Sequence, residues 1–185
     1  MVKDIKSWKT ISSKLVLNHA DLKVTEDEVL LPNGQSTTYL RQAAVNNHSV
    51  IIIATNAKHQ VLIQREYSYP PNKVMWQLPG GSIKKGESFE AAARRELAEE
   101  SGFSARKLKV IGSFYLQNRF SDKRQYVVTC TSLFEHKLTA DEDEFIDTTW
   151  LSKPRLIDMI KKGEFDNINL LAALNLWFNH SGEQS

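Results

Sequence analysis

The sequence predicts a mixed α+β fold. Three observations lead there. Short strand-like runs fill residues 8–79, a single well-capped helix follows them, and two helical stretches close the chain after further strand-like runs. Strands, one helix, strands, then helices is the order of an α+β domain rather than of regularly alternating parallel units.

The elements follow in order. Residues 8–48 read as short strands joined by turns. Leu30-Leu31-Pro32-Asn33-Gly34 carries a turn signal, because Asn-Gly accepts positive φ. Thr37 to Val45 reads as the strand leading out. Val50 to Ala54 is a short apolar run of the kind a buried strand shows. The chain then turns at Asn56 to His59 and returns along Val61 to Gln64. Trp76 to Pro79 is a further extended segment, stopped by Gly80-Gly81. Ser88 is placed to cap a helix, since its hydroxyl can accept from an orphan N–H. Ala91, Ala92 and Ala93 are strong helix formers, and Gly102 stands where a left-handed residue ends the helix. Strand-like runs follow at 108–116, 125–134 and 145–151. Pro154 suits the first turn of a helix that Gly163 ends. Asp166 is the expected cap of the last helix. There Leu170, Leu171, Leu174, Trp177 and Phe178 follow helical spacing and form a core or dimer-contact face.

Composition narrows the function. The 185 residues suit one domain with a real core, or one domain plus a small appended sheet. Apolar and charged fractions of 41% and 25% are those of a globular protein. The net charge of +2, from 24 basic and 22 acidic residues, gives no field that argues for nucleic acid or a membrane surface. One cysteine, Cys130, lies in an apolar run and reads as a buried strand thiol. It allows neither an internal disulfide nor a Cys/His zinc site. Residues 1–10 lack the apolar core of a secretion signal, and no stretch approaches the ~20 apolar residues that span a bilayer. A cytoplasmic protein is the expectation.

The stretch Gly81 to Phe103 carries the chemistry. Gly81 is followed after five residues by Glu87, and after seven more by Arg95-Glu96-Leu97. One residue on come Glu99-Glu100, and one further Gly102-Phe103. On a helix, Glu96, Glu99 and Glu100 are three and four apart and share a face. Carboxylates so crowded repel one another unless a cation joins them. Hard oxygen ligands of this kind suit Mg²⁺, which keeps waters and binds substrate phosphates, with Mn²⁺ as an alternative. Arg95 stands four before Glu99 and can hold that carboxylate. The plain alternative is a solvated acidic helix face. The flanking Gly80-Gly81, Glu87 and Gly102 weigh against it.

With every defining position filled, this stretch resembles the Nudix box. The resemblance covers roughly residues 10–180 and extends to the ADP-ribose pyrophosphatase and nucleoside diphosphate sugar hydrolase branch of that family. Trp76-Gln77-Leu78-Pro79-Gly80-Gly81 is similar to the branch's Trp-Glu-Leu-Pro-Ala-Gly. The strand-rich start and the tail from Asp141-Glu142-Asp143-Glu144 to Gly163-Glu164-Phe165-Asp166-Asn167 match its order. The resemblance implies a Nudix α/β/α sandwich with an N-terminal antiparallel β subdomain. Residues 1–48 would form that subdomain and a homodimer contact, and residues 49–185 the hydrolase domain. It implies metal ligands at Glu96, Glu99, Glu100 and the Gly80 carbonyl. It implies Glu142 as the base that activates water and Glu144 as a further ligand. Glu87 would bond Arg95, with Gly81 and Gly102 structural in the motif. The substrate implied is a nucleoside diphosphate sugar such as ADP-ribose, hydrolysed to a nucleoside monophosphate and a sugar phosphate.

Two departures bear on specificity. Asn118 stands where the ADP-ribose group has a proline, and Arg65-Glu66-Tyr67 where the branch commonly has Gln-Tyr-Arg. Arg65 is a candidate to supply the cation from a shifted place. Tyr67 and Tyr69 are candidates to stack on a base or sugar. Arg119, Lys123 and Arg124 are candidates for phosphate contacts. Plain surface roles remain the alternative for each. Rival functions are a Nudix hydrolase of dinucleoside polyphosphates or capped RNA, and a non-catalytic nucleotide-sugar sensor.

Overall fold

The computed structural model describes residues 5–19, 22–43, 48–139 and 145–180. The chain forms two compact units. One comprises residues 1–47 with 115–123, the other residues 48–114 with 124–185.

The first unit is an antiparallel meander of β1 (Lys9–Asn18), β2 (Lys23–Leu30) and β3 (Ser36–Ala43). The turn expected at Asn33-Gly34 joins β2 to β3. Gly34 takes φ 85° and donates to Leu31 O at 3.0 Å. β2 alternates, with Thr25, Asp27 and Val29 buried. β1 is exposed along its whole length, apolar residues included. The strand β3 holds segment 115–123 by long-range bonds. Gln42 N donates to Phe120 O at 2.6 Å, and the Tyr39 hydroxyl to Arg119 O. Such non-local pairing leaves no trace in local sequence pattern.

The second unit carries two three-stranded sheets. One has the order β4 (His48–Ala54), β8 (Arg124–Glu135), β7 (Phe103–Tyr115), with β4 and β8 parallel. The other has the order β6 (Lys73–Gln77), β5 (Gln60–Ser68), β9 (Ile146–Ser152), with β5 antiparallel to both neighbours. Asn56 forms the turn before β5 by accepting, through Oδ1, from Lys58 N and Gln60 N. Both faces of β4 are covered, so its side chains are apolar without alternation. Val50, Ile52 and Ala54 pack with Ala92, Ala93 and Leu97 of the helix α1 (Phe89–Ser101). Ile51 and Ile53 pack with Leu156 and Met159 of α2 (Lys153–Lys161) and Leu170 and Leu174 of α3 (Ile168–His180). Each fully buried aliphatic side chain contributes about 1.5–3 kcal/mol. Helices thus cover both sides of the strands, the α/β/α sandwich of a mixed α+β fold.

Two local expectations meet different outcomes. Pro154 does lie in the first turn of α2, and Gly163, at φ 68°, follows its end. Asp166, however, does not cap α3. It pairs with Lys73, and the cap is Asn167, whose Oδ1 accepts from Asn169 N at 2.9 Å. The correction is one residue. A side chain two before the first helical residue is too far back to reach the N2 amide. Cys130 is fully buried in β8, and burial pushes its thiol up to about 12.

Candidate active site

The helix α1 is fixed at both ends as its sequence demands. The Ser88 hydroxyl accepts from Ala91 N at 3.1 Å, and Gly102 closes the helix at φ 75° with its N–H on Ala98 O. Ala92, Ala93, Leu97 and Ala98 are wholly buried. Locking that apolar stripe sets the rotation of the helix. Arg95, Glu96, Glu99 and Glu100 are then turned toward the loop that precedes α1.

That loop runs beside β4 like one more strand. Ile52 N donates to Pro79 O at 2.8 Å, Val50 N to Gly81 O at 2.9 Å, and Ile83 N to His48 O. Backbone groups of successive extended residues face alternate sides. Gly80, between the two anchors, therefore turns away from β4, and its N–H reaches Glu100 Oε2 at 3.1 Å and Oε1 at 3.4 Å. No other residue fits here. At Gly80, with φ 153°, a Cβ would lie 2.3 Å from Val50 O. At Gly81 it would lie 2.4 Å from Glu96 Oε1. The glycine pair lets the backbone press against both β4 and the helix carboxylates.

Arg95 organises the near side. Its Nε and Nη2 meet the two oxygens of Glu87, both at 2.9 Å. Nη1 donates to Glu96 Oε1 at 2.7 Å and to Glu99 Oε2 at 2.9 Å, and Nη2 also to Ser82 O at 3.0 Å. Glu87 accepts in addition from Lys84 N at 2.9 Å, which folds the loop onto the helix. Hydrogen bonds from Arg95 hold the Glu87 carboxyl below its usual range. Those same bonds raise Arg95 far above the ordinary arginine value, Glu87 contributing most. Glu96 is 8% exposed, and burial pushes its carboxyl up, against the pull of Arg95.

On the far side, Gln64 Nε2 donates to Glu100 Oε2 at 3.0 Å. Among the described residues no three acidic, histidine or cysteine side chains converge as a ready-made metal cage. Arg95 stands between Glu96 and Glu99, and Glu100 is drawn toward Gln64 and Gly80.

The structure thus gathers Gly80, Gly81, Glu87, Arg95, Glu96, Glu99 and Glu100 in one place, with Gly102 as the helix cap. The described contacts of Arg65, Tyr67 and Arg119 are with groups outside that cluster. The Arg65 guanidinium lies 5.4 Å from the centre of the Trp76 ring. The Tyr67 hydroxyl donates to Asn72 Oδ1 at 2.7 Å, and Tyr69 is 83% exposed. Arg119 belongs to the first unit, where its carbonyl serves Tyr39. Glu142 and Glu144 lie outside the described residues. Sequence reasoning passed over Gln64 and the Ser82 carbonyl. A polar residue closing the apolar run Val61-Leu62-Ile63 was the available signal for Gln64. A backbone carbonyl leaves none.

Comparison with known proteins agrees with this geometry. The NUDIX domain model matches residues 45–174. The chain is 27% identical over 158 residues to the ADP-ribose pyrophosphatase of Bacillus subtilis (strain 168), covering 84% of each. It is 30% identical over 167 residues to the methanol dehydrogenase activator of Bacillus methanolicus, covering 89% of each. To the ADP compounds hydrolase NudE of Escherichia coli (strain K12) it is 27% identical, covering 81% of this chain and 82% of that protein. A solved structure described as a crystal structure of ADP compounds hydrolase superposes with a TM-score of 0.90 at 22% identity, covering 99% of this chain and 98% of that one. That likeness speaks for the fold. The chain belongs to the NUDIX family and is an enzyme of the Nudix pyrophosphatase class. No helix among the described residues is long and apolar enough to cross a membrane.

Proposed function

We propose that this enzyme hydrolyses the pyrophosphate bond of a nucleoside diphosphate sugar such as ADP-ribose, using Mg²⁺, and yields a nucleoside monophosphate and a sugar phosphate. The observation that carries the reading is the carboxylate face of α1 pressed against Gly80-Gly81. The residues fit a hard divalent cation. Glu96, Glu99 and Glu100 offer oxygen donors alone, as Mg²⁺ requires. The missing side chain of Gly81 leaves the space that the Glu96 carboxylate occupies. Glu96, Glu99, Glu100 and the Gly80 carbonyl are the groups that would hold the ion. A bound cation would lower the pKa of a water and neutralise pyrophosphate oxygens.

The chain's own residues have separate tasks. Arg95 keeps Glu96 and Glu99 from springing apart, and Glu87 keeps Arg95 in place. Glu142, by its position in the acidic loop, is the proposed base, and Glu144 a further oxygen ligand. Arg65, Tyr67, Tyr69 and Arg119 are the proposed substrate contacts. Homodimerisation through residues 1–48 is part of the reading. Its support is β1, whose Ile11, Leu15 and Leu17 are 51%, 49% and 44% exposed.

A panel of ADP-ribose, other nucleoside diphosphate sugars, dinucleoside polyphosphates and capped RNA, assayed with Mg²⁺ and with products identified, tests this. The expected result is monophosphate plus sugar phosphate from a diphosphate sugar. Release from the polyphosphates or RNA alone would transfer the activity to those substrates. Binding without release would make the chain a sensor.

A further inference from the structure

The strand β5 opens with Val61, Leu62 and Ile63, all wholly or almost wholly buried, and then places Gln64 at 2% exposure. Alternation puts Gln64 on the face of Leu62, which packs in the cluster under α1. A buried amide needs a reason there. The contact with Glu100 supplies one, with Nε2 on Oε2 at 3.0 Å. A carboxylate only accepts, so this contact fixes which end of the amide faces the helix. Gly80 N–H reaches the same carboxylate from the loop. The amide's other end, Oε1, is buried without a donor among the described residues.

We infer that Gln64 is a positioning residue, which fixes the direction of the Glu100 carboxylate through a neutral donor and presents Oε1 to a water beside it. This rests on the proposed reading of Glu100 as a metal-holding carboxylate. The chemistry of the position follows from what the alternatives would do. A guanidinium or ammonium would compete with a divalent cation for Glu100. An aliphatic side chain would remove one of the donors that orient the carboxylate. A neutral amide orients it and adds no charge. An amide oxygen without a donor among the described residues is suited to accept from a water, including one held by a cation. Partners of metal ligands, when removed, typically lower metal affinity by about 10–100-fold.

The experiment measures Mn²⁺ binding to the full chain, by electron paramagnetic resonance without substrate. The proteins are wild type, Gln64→Met, Leu62→Ala and Glu100→Gln. Gln64→Met keeps the length of the side chain and removes the donor. It is expected to weaken Mn²⁺ binding by about 10-fold or more, with a melting temperature close to wild type. The Mg²⁺ concentration for half-maximal ADP-ribose turnover should rise by a similar factor. Leu62→Ala reports plain core loss, with a lower melting temperature and Mn²⁺ affinity close to wild type. Wild-type Mn²⁺ affinity in a folded Gln64→Met overturns the inference. So does a loss of affinity matched by Leu62→Ala at an equal drop in melting temperature. Wild-type Mn²⁺ affinity in Glu100→Gln, or no uptake by wild type, removes the reading of Glu100 itself, and the inference goes with it.

Discussion

Glu96 and Glu100 stand one helical turn apart on α1, and different donors reach them. Glu96, with Glu99, leans on the guanidinium of Arg95. Glu100 accepts from two neutral donors, the Gln64 amide and the Gly80 N–H. The first arrangement stabilises by charge. It forms a network with Glu87 that ties the loop to the helix. In the second, the amide and the backbone N–H orient a carboxylate without adding charge of their own. The lesson is a division of labour along one helix. The Arg95 side makes the site rigid, and the Gln64 side keeps a carboxylate aimed for a ligand.

Substitutions on the two sides should therefore fail differently. The largest effect is expected from Glu100→Gln, which keeps shape and removes charge. Turnover should fall on the order of 10³-fold, as when a transition-state charge loses its stabiliser, with the melting temperature nearly unchanged. Steady-state kinetics beside a thermal melt check this, and near-wild-type turnover would remove Glu100 from the metal set. Gly80→Ala comes next. Its Cβ meets the Val50 carbonyl and the Ile51 Cα, backbone atoms that cannot step aside. A stability loss of about 3 kcal/mol is expected in urea unfolding. An unaffected midpoint would contradict the close approach of loop and strand.

On the other side, Arg95→Lys retains the charge and loses the fork. One ammonium cannot serve Glu87, Glu96, Glu99 and the Ser82 carbonyl together. The expectation is a loss of about 2 kcal/mol in stability, part of it from partly buried carboxylates left unpaired. Unfolding that matches wild type would show the network to be ornamental.

The smallest effect calibrates the comparison in a carboxylate of the first unit. Asp27 of β2 is 5% exposed and accepts from the Ser13 hydroxyl and from Arg41 Nε at 2.7 Å. The hydrogen bond from Ser13 leads in holding its carboxyl below the usual range, and Arg41 adds to it against the opposing cost of burial. A lowered folded value means that its stabilisation is present above the unfolded value of 3.8 and is lost as pH falls through the folded one. Asp27→Asn should cost about 1 kcal/mol near neutrality and flatten the acid limb of the stability curve below about pH 4. Unfolding midpoints across pH measure both. An acid limb as steep as wild type would assign that limb to other carboxylates.

How much of this was legible in the sequence follows from how local each feature is. The caps of α1, the turn at Asn33-Gly34, the burial of β4 and the pairing of Arg95 with Glu99 depend on residues within a few positions of one another. Pattern alone reaches them. The Asp166 cap failed by one residue because two residues of capping type, Asp166 and Asn167, stand side by side and the helix begins one residue later than a cap at Asp166 requires. Lys73, distant in sequence, claims the first. Gln64 meets Glu100 across 36 positions, and the Phe120 carbonyl, in the β7–β8 connection, meets Gln42 of β3. No local period encodes such contacts. The shared face of three glutamates was readable from spacing. That Arg95 would stand between two of them, and Gln64 beside the third, was a matter of tertiary packing.

The central claim is that these carboxylates serve a divalent cation in cleaving a diphosphate linkage. The most direct measurement follows ADP-ribose by phosphorus NMR, first with the chain stripped by a chelator and then with Mg²⁺ restored. The account predicts no change in the stripped sample. After restoration, paired monophosphate signals should appear, one from the nucleotide and one from the sugar. Equal cleavage in both samples would contradict it.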